Sequence, residues 1–356
     1  MQSRLCALAA GVLLAWARPA VAQDDRVVLV TGEAIERIKV LGFDVRELRY
    51  QRDADAETIT ADRVARLELG RAAARHPGGA DLEPGALLAA ARRQLEEKDV
   101  LAAQVGLLAA AELWLQHGSA AGEQRAVAVL DELRTRLPQA GTVIAALRLQ
   151  IDLGLGQGPA GVARALGIAR RLLADAVAGH WAPGCGLEGE YQVLRAAAAD
   201  GSIGALDLQD RLRELLVRAT AARAGPIDAV RTLLADSLRR SSDLAAARSL
   251  YQQVVDADLA AVDARAAAHL GLGQLQEAAG SARDREPYRA AMLQFLRAHL
   301  ACRMARRDQH AEALYHAMQA AEQWQGDYWQ EVHGRCRGLL LRDYATSAWA
   351  ARVRGG

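Results

Sequence analysis

The chain predicts a mainly α fold: an α-solenoid of antiparallel helical hairpins preceded by a small β-barrel or β-meander domain. Three observations carry this. First, two hairpins between Ile227 and Leu300 read in one register. Leu234-Ala235 lies on one helix, with Ala247 and Tyr251 on the next; Leu270-Gly271 opens another, followed by Ala291 and Phe295. Small residues at these points let antiparallel helices approach closely. The aromatic four residues after each alanine shares its face and plugs the gap to the neighbouring hairpin. No such hairpin buries its own apolar face, so it stacks on another. Second, hydrophobic residues make up 51% of the 356 but aromatics only 4%, which favours closely packed alanine-rich helices over a core with aromatic anchors. Third, the segment from Arg26 to Leu69 has the alternation of strands rather than the period of helices.

Residues 1–22 read as a secretory leader. Arg4 supplies the positive end, Leu5 to Trp16 the apolar run, and Ala20-Val21-Ala22 the small-residue cleavage site. The apolar run is too short for a stable membrane span, and Cys6 lies too early to be a lipidation site. The expectation is a mature chain starting at Gln23, exported to the periplasm or secreted, without a membrane span.

Residues 23–70 read as the β-domain. Val27-Val28-Leu29-Val30 is a β-rich run closed by Thr31-Gly32. Ile35, Ile38 and Val40 belong to a second strand ending near Gly42, and Leu48 and Tyr50 alternate with polar residues in a third. Arg52 to Ala56 reads as a hairpin loop, and Thr58-Ile59-Thr60 begins the return. Ala61-Asp62-Arg63-Val64 reads as a tight turn before a last strand, Ala65 to Leu69. Residues 71–82, with Pro77-Gly78-Gly79, read as a linker. That separation leads us to expect a β-domain that folds apart from the helices; the alternative is that it caps their first apolar face.

Residues 83–356 read as helix after helix, starting at Glu83-Pro84. Leu113-Trp114, Ala126, Leu130, Leu133 and Pro138 repeat the order of small, bulky, bulky, stop that occurs at Ala247, Tyr251 and Val254. Gly280 to Pro287 reads as an inserted loop. Gly154 to Pro159 and Pro183-Gly184-Cys185-Gly186 read as interruptions. These residues resemble the tetratricopeptide repeat (TPR), whose pattern recurs over about 34 residues. The β-segment, with a turn before its fifth strand, resembles an SH3-like or Sm-like barrel. Tyr344-Ala345-Thr346-Ser347 is similar to the aromatic-Pro-x-Ser turn of exported bacterial TPR proteins, with Ala345 in the proline's place. The resemblance implies a TPR-like exported bacterial protein that binds proteins or peptides in a groove.

The net charge is +1 with both signs interspersed, which argues against a nucleic-acid footprint. There is no Gly-x-Ser-x-Gly elbow and no phosphate loop. Gly154 to Gly158 follows a helical pattern rather than a strand, so an interhelix loop is the better reading. No catalytic residue and no cofactor are therefore expected. His299 precedes Cys302 by three residues and His333 precedes Cys336 by three; three-apart pairs share a helical face, so a Cys2His2 zinc site, a Cys302–Cys336 disulfide and plain core packing all stand open. Cys185 is then an odd thiol available between molecules. Trp324, Tyr328 and Trp329 form the densest aromatic cluster, either a peptide-gripping patch or terminal packing. The expected function is a non-catalytic scaffold for protein–protein interactions in the bacterial cell envelope. An envelope accessory subunit or hydrolase with an unrecognised site, and self-assembly through the repeats, are the alternatives.

Overall fold

The computed structural model describes residues 24–70, 83–116, 119–302 and 306–355. The expected leader and linker lie outside them. Five strands form one antiparallel sheet in the order β4-β3-β2-β1-β5: β1 Asp25–Leu29, β2 Ala34–Phe43, β3 Glu47–Arg52, β4 Asp55–Thr60 and β5 Val64–Glu68. A 3-10 turn, Ala61–Arg63, precedes β5. The alternating apolar residues Ile38, Val40, Leu48 and Tyr50 are buried, as period-two patterning requires. The β3–β4 loop is tighter than expected, only Asp53-Ala54, because Asp53 takes a φ of +54°. Within β2, Arg37 at φ +56° accompanies a register shift against β1, the mark of a bulge. The Asp25 carboxylate accepts the backbone N–H groups of Val40 at 2.8 Å and Gly70 at 2.9 Å, tying the start of β1 to β2 and to the residue just past β5.

Fourteen helices follow among the described residues: α1 Pro84–Glu96, α2 Val100–Gln116, α3 Ala120–Arg136, α4 Thr142–Leu155, α5 Gly158–Ala178, α6 Pro183–Asp200 and α7 Ala205–Ala222; then α8 Ile227–Arg240, α9 Leu244–Asp256, α10 Val262–Ala279, α11 Glu286–Leu300, α12 Arg307–Trp324, α13 Trp329–Asp343 and α14 Ala348–Gly355. Each packs on the next. Helices two apart also pack on each other among the even-numbered ones: α2 with α4, α4 with α6, α8 with α10, α10 with α12, and α12 with α14. The even helices are thus the tighter layer and the odd helices the outer one, the layering of a helical-hairpin solenoid.

The register read between Ile227 and Leu300 holds. Ala247, Tyr251, Ala291 and Phe295 are all fully buried. A methyl group on Gly271 would overlap the Tyr251 ring, and one on Gly273 would overlap Phe295; both aromatics therefore lie directly on α10 backbone. Leu270-Gly271 sits mid-helix, however, because α10 begins at Val262. Its N-terminus has no side-chain cap; the Val262 N–H donates instead to the Val30 carbonyl of the sheet at 3.0 Å, a partner no local pattern announces. Likewise α6 begins at Pro183, so Cys185 occupies a first helical turn. The thiol is buried and burial pushes it up to about 12, which corrects its expected role as an intermolecular thiol.

The sheet does not stand apart. Its loops meet the loops that lead into α4, α6, α8 and α10: Val45 N–H donates to Gln139 O at 3.1 Å, Ala182 N–H to Val45 O at 3.0 Å, Gly225 N–H to Asp62 Oδ2 at 3.4 Å, and Val262 N–H to Val30 O. Gln104 of α2 bridges the Phe43 carbonyl (3.0 Å) and the Thr142 N–H (3.2 Å). Val27, Val40, Leu48 and Leu67 share one apolar core with Leu107, Leu130, Leu147 and Leu172. The expectation of independence thus gives way to its alternative, in a wider form. A fragment spanning 81–356 is predicted to lose helicity in circular dichroism and to aggregate on gel filtration, whereas an independent sheet would leave both unchanged.

Inside the array, Ala247→Trp overpacks a fully buried contact and is predicted to cost about 3 kcal/mol or more. Arg239 is half-buried beside the Tyr251 hydroxyl. Arg239→Ala is therefore not silent and should cost about 1 kcal/mol. Thermal shifts of equal size for the two variants would contradict this packing.

Candidate functional site

The even-numbered layer carries a connected polar network. On α4, Asp152 and Arg148 lie one helical turn apart and point toward α6, where Glu188, Gln192 and Arg195 follow at the same spacing. Arg195 Nη1 donates to Asp152 Oδ1 at 2.6 Å, and Arg306 Nη1 donates to the same oxygen at 2.7 Å. Arg306 immediately precedes α12, 154 residues along the chain from Asp152. Its own N–H donates to Asp263 Oδ1 at the start of α10, at 2.9 Å, and Gln309 Nε2 reaches the Asp263 carbonyl at 3.1 Å. Beside this triad, Glu188 accepts from Arg148 at 3.1 Å and from Gln192 at 2.8 Å. One connected lattice therefore ties α4, α6, α10 and α12 together across the layer.

Its electrostatics follow from partial burial. Burial raises the Asp152 carboxyl, but Arg306 and Arg195 more than offset it and hold the group below the ordinary carboxylate range. Burial raises Asp263, and Arg306 only partly counters it. Burial opposes the charge on Arg306, yet Asp152, Asp308 and Asp263 keep it firmly cationic. Charges of opposite sign at hydrogen-bond distance, 27% and 28% exposed at Asp152 and Arg306, form a structural clasp. The lattice offers neither a nucleophile beside a base nor an open ligand set.

A second polar joint lies where the sheet meets α6. The 3-10 turn packs on α6, and the buried Asp62 carboxylate faces its first turn so closely that a methyl group on Gly184 would overlap Oδ2. A carboxylate at a helix N-terminus is favourably placed. The same oxygen accepts from Gly225, just before α8. Asp62 thus links the sheet to two neighbouring hairpins.

The residues singled out from sequence are distributed otherwise. His299 lies near the end of α11, edge-on to His310 at 5.1 Å and to Tyr344 at 6.4 Å. Helix α11 ends at Leu300, so Cys302 leaves the face of His299; it is buried, its thiol raised by burial to about 11. His333 stands edge-on to Trp329 at 6.2 Å, while Cys336 is buried in the C-terminal core, raised by burial to about 11. Both cysteines are free thiols, and among the described residues no three His, Cys, Asp or Glu side chains converge on a point. The aromatic trio also separates, because α12 ends at Trp324. That ring packs partly into the core with the Arg289 guanidinium over it at 5.7 Å; Tyr328, at φ +63°, is 78% exposed; Trp329 opens α13. The lattice at Asp152 escaped sequence reading, since nothing local links residue 152 to residue 306.

No protein-family model and no curated protein matches the chain. Among solved structures, the chain is similar to the crystal structure of the nearly identical TPR-like repeats of a Podosopora anserina kinesin light chain, at 16% identity and a TM-score of 0.36, covering 56% of this chain and 97% of that one. A second crystal structure of those repeats, carrying one substitution, gives 16% and 0.38, over 57% and 98%. Among the described residues, no helix is long and apolar enough to cross a membrane.

The Asp152 carboxyl sets a pH dependence. Its folded-state value is depressed below the unfolded value of about 3.9, so it contributes stability that is fully present above that value. The contribution is lost as pH falls through the folded value. Thermal melts from neutral pH downward should show the wild type losing an increment of stability below about pH 4 that Asp152→Asn lacks, and identical acid limbs would contradict the clasp.

Proposed function

We propose that this chain is a non-catalytic, exported scaffold that mediates protein–protein interactions in the bacterial cell envelope, built from a TPR-like array with an SH3-like module docked along one edge. The observation that carries the reading is the two-layered hairpin array itself, which presents an extended surface along its stacked hairpins. The leader-like segment at 1–22 supports export, and the strand order with a 3-10 turn before β5 supports the SH3-like likeness.

The clasp alters which surface a partner would use. Asp152 is ion-paired with both Arg195 and Arg306 within the even-numbered layer, so an extended peptide lying there would have to displace ion pairs. The odd-numbered helices are the accessible alternative. Val127 on α3, Val177 on α5, Val217 on α7, Leu244 on α9 and Leu293 on α11 are exposed, and Tyr328 adds an exposed aromatic near the far end. Partner contact is therefore assigned to the outer layer.

Only Lys39 and Lys98 are lysines, so amine-directed cross-linking would sample little of the array. Photo-cross-linking from Val177, Val217 and Leu293 in the native envelope is the suited test. The scaffold reading expects one protein recovered at all three outer positions and not from the inner-layer position Gln192. Cross-links from Gln192 alone would move the partner to the inner layer. Turnover of generic glycan, ester or peptide substrates by the purified chain would overturn the non-catalytic reading.

A further inference from the structure

Among the described residues the strand β4 ends the sheet, with β3 on one side and no strand on the other. Natural edge strands are usually blunted by bulges, proline or lysine. This one has no bulge, proline or lysine, and its only charges are the carboxylates of Asp55 and Glu57. Its sequence is Asp55-Ala56-Glu57-Thr58-Ile59-Thr60, and its six-pair register with β3 is unbroken, whereas the β1–β2, β1–β5 and β2–β3 pairings all contain shifts. Asp55, Ala56, Thr58 and Thr60 are exposed.

The hydrogen-bond phase of this edge follows from its hairpin. Arg52 and Asp55 flank a two-residue turn and so form a hydrogen-bonded pair. Alternation makes Tyr50–Glu57 and Leu48–Ile59 the next bonded pairs, and the Ala61 N–H to Arg46 O bond of 3.0 Å continues the series. Asp55, Glu57 and Ile59 therefore turn their backbone groups inward. Ala56, Thr58 and Thr60 present theirs to the open edge.

An added antiparallel strand must pair its own outward residues with these. A second copy of β4 does so about a two-fold axis through Thr58. Thr58 then faces Thr58, Ala56 faces Thr60, Glu57 faces Ile59 and Asp55 faces Ala61. No carboxylate stands opposite a carboxylate, and a threonine pair, a favourable cross-strand combination, occupies the centre. Shifting the axis to Glu57 would set two glutamates face to face. We infer that β4 is the dimerisation edge of this protein, joining two sheets into one ten-stranded sheet by an isologous contact.

The test uses the full chain. In the Thr58-centred register the two Thr58 Cα atoms lie about 5.5 Å apart, within disulfide range, while the two Ala56 Cα atoms are far outside it. Thr58→Cys should give a disulfide-linked dimer under mild oxidation, and Ala56→Cys should not. Thr58→Lys places two ammonium groups opposite each other and should raise the dimer dissociation constant about tenfold or more in sedimentation equilibrium, with circular dichroism unchanged. A wild-type chain that stays monomeric at every concentration, a dimer unaffected by Thr58→Lys, or linkage at Ala56→Cys instead would each overturn the proposal.

Discussion

Asp152 receives two arginines that come from distant parts of the chain, Arg195 from α6 and Arg306 from the approach to α12. Nearest-neighbour packing alone would fix only how each hairpin sits on the next, leaving overall curvature to accumulate small rotations. A contact across 154 residues removes that freedom. Because Arg306 also holds the start of α10 through Asp263, the clasp sets the spacing of four even-numbered helices, α4, α6, α10 and α12, at once. Such a cluster is worth less as net stability than as geometry, since desolvation offsets much of the attraction; removing one partner is costly because the others are left buried and uncompensated.

The sheet acts on the same layer from outside. Side-by-side packing between even helices is pronounced everywhere except between α6 and α8, and there Asp62 reaches Gly184 and Gly225. The loops that enter α4, α6, α8 and α10 each find a backbone or carboxylate partner on the sheet. These helices lack a side-chain cap, so the module supplies polar satisfaction that the helical sequence omits. Its apolar face closes the core of the first hairpins. Sheet and array form one packed unit.

What was legible in the sequence was what repeats locally. The alternation at Ile38, Val40, Leu48 and Tyr50 located strands; the small-residue and aromatic pairs at Ala247–Tyr251 and Ala291–Phe295 located buried helix contacts. Boundaries failed where the missing partner was remote: α10 starts at Val262 because a sheet carbonyl receives its N–H, and α6 starts at Pro183 because the sheet covers its first turn. The three-residue spacing of His299 and Cys302 does not put them on one face because α11 stops at Leu300, and such spacing aligns side chains only while a helix continues. The clasp itself left no trace, as Asp152, Arg195 and Arg306 look ordinary in a chain so rich in arginine. Charge pairs set by superhelical curvature have no sequence period to betray them.

A double-mutant cycle on Asp152→Ala and Arg306→Ala, read as unfolding free energy of the full chain, bears most directly on the claim that this pair closes the array. The expected coupling energy is about 1–3 kcal/mol, in the range seen for residues in direct contact within one network. Additive losses, with a coupling near zero, would mean that the two side chains do not meet and that the curvature has another cause.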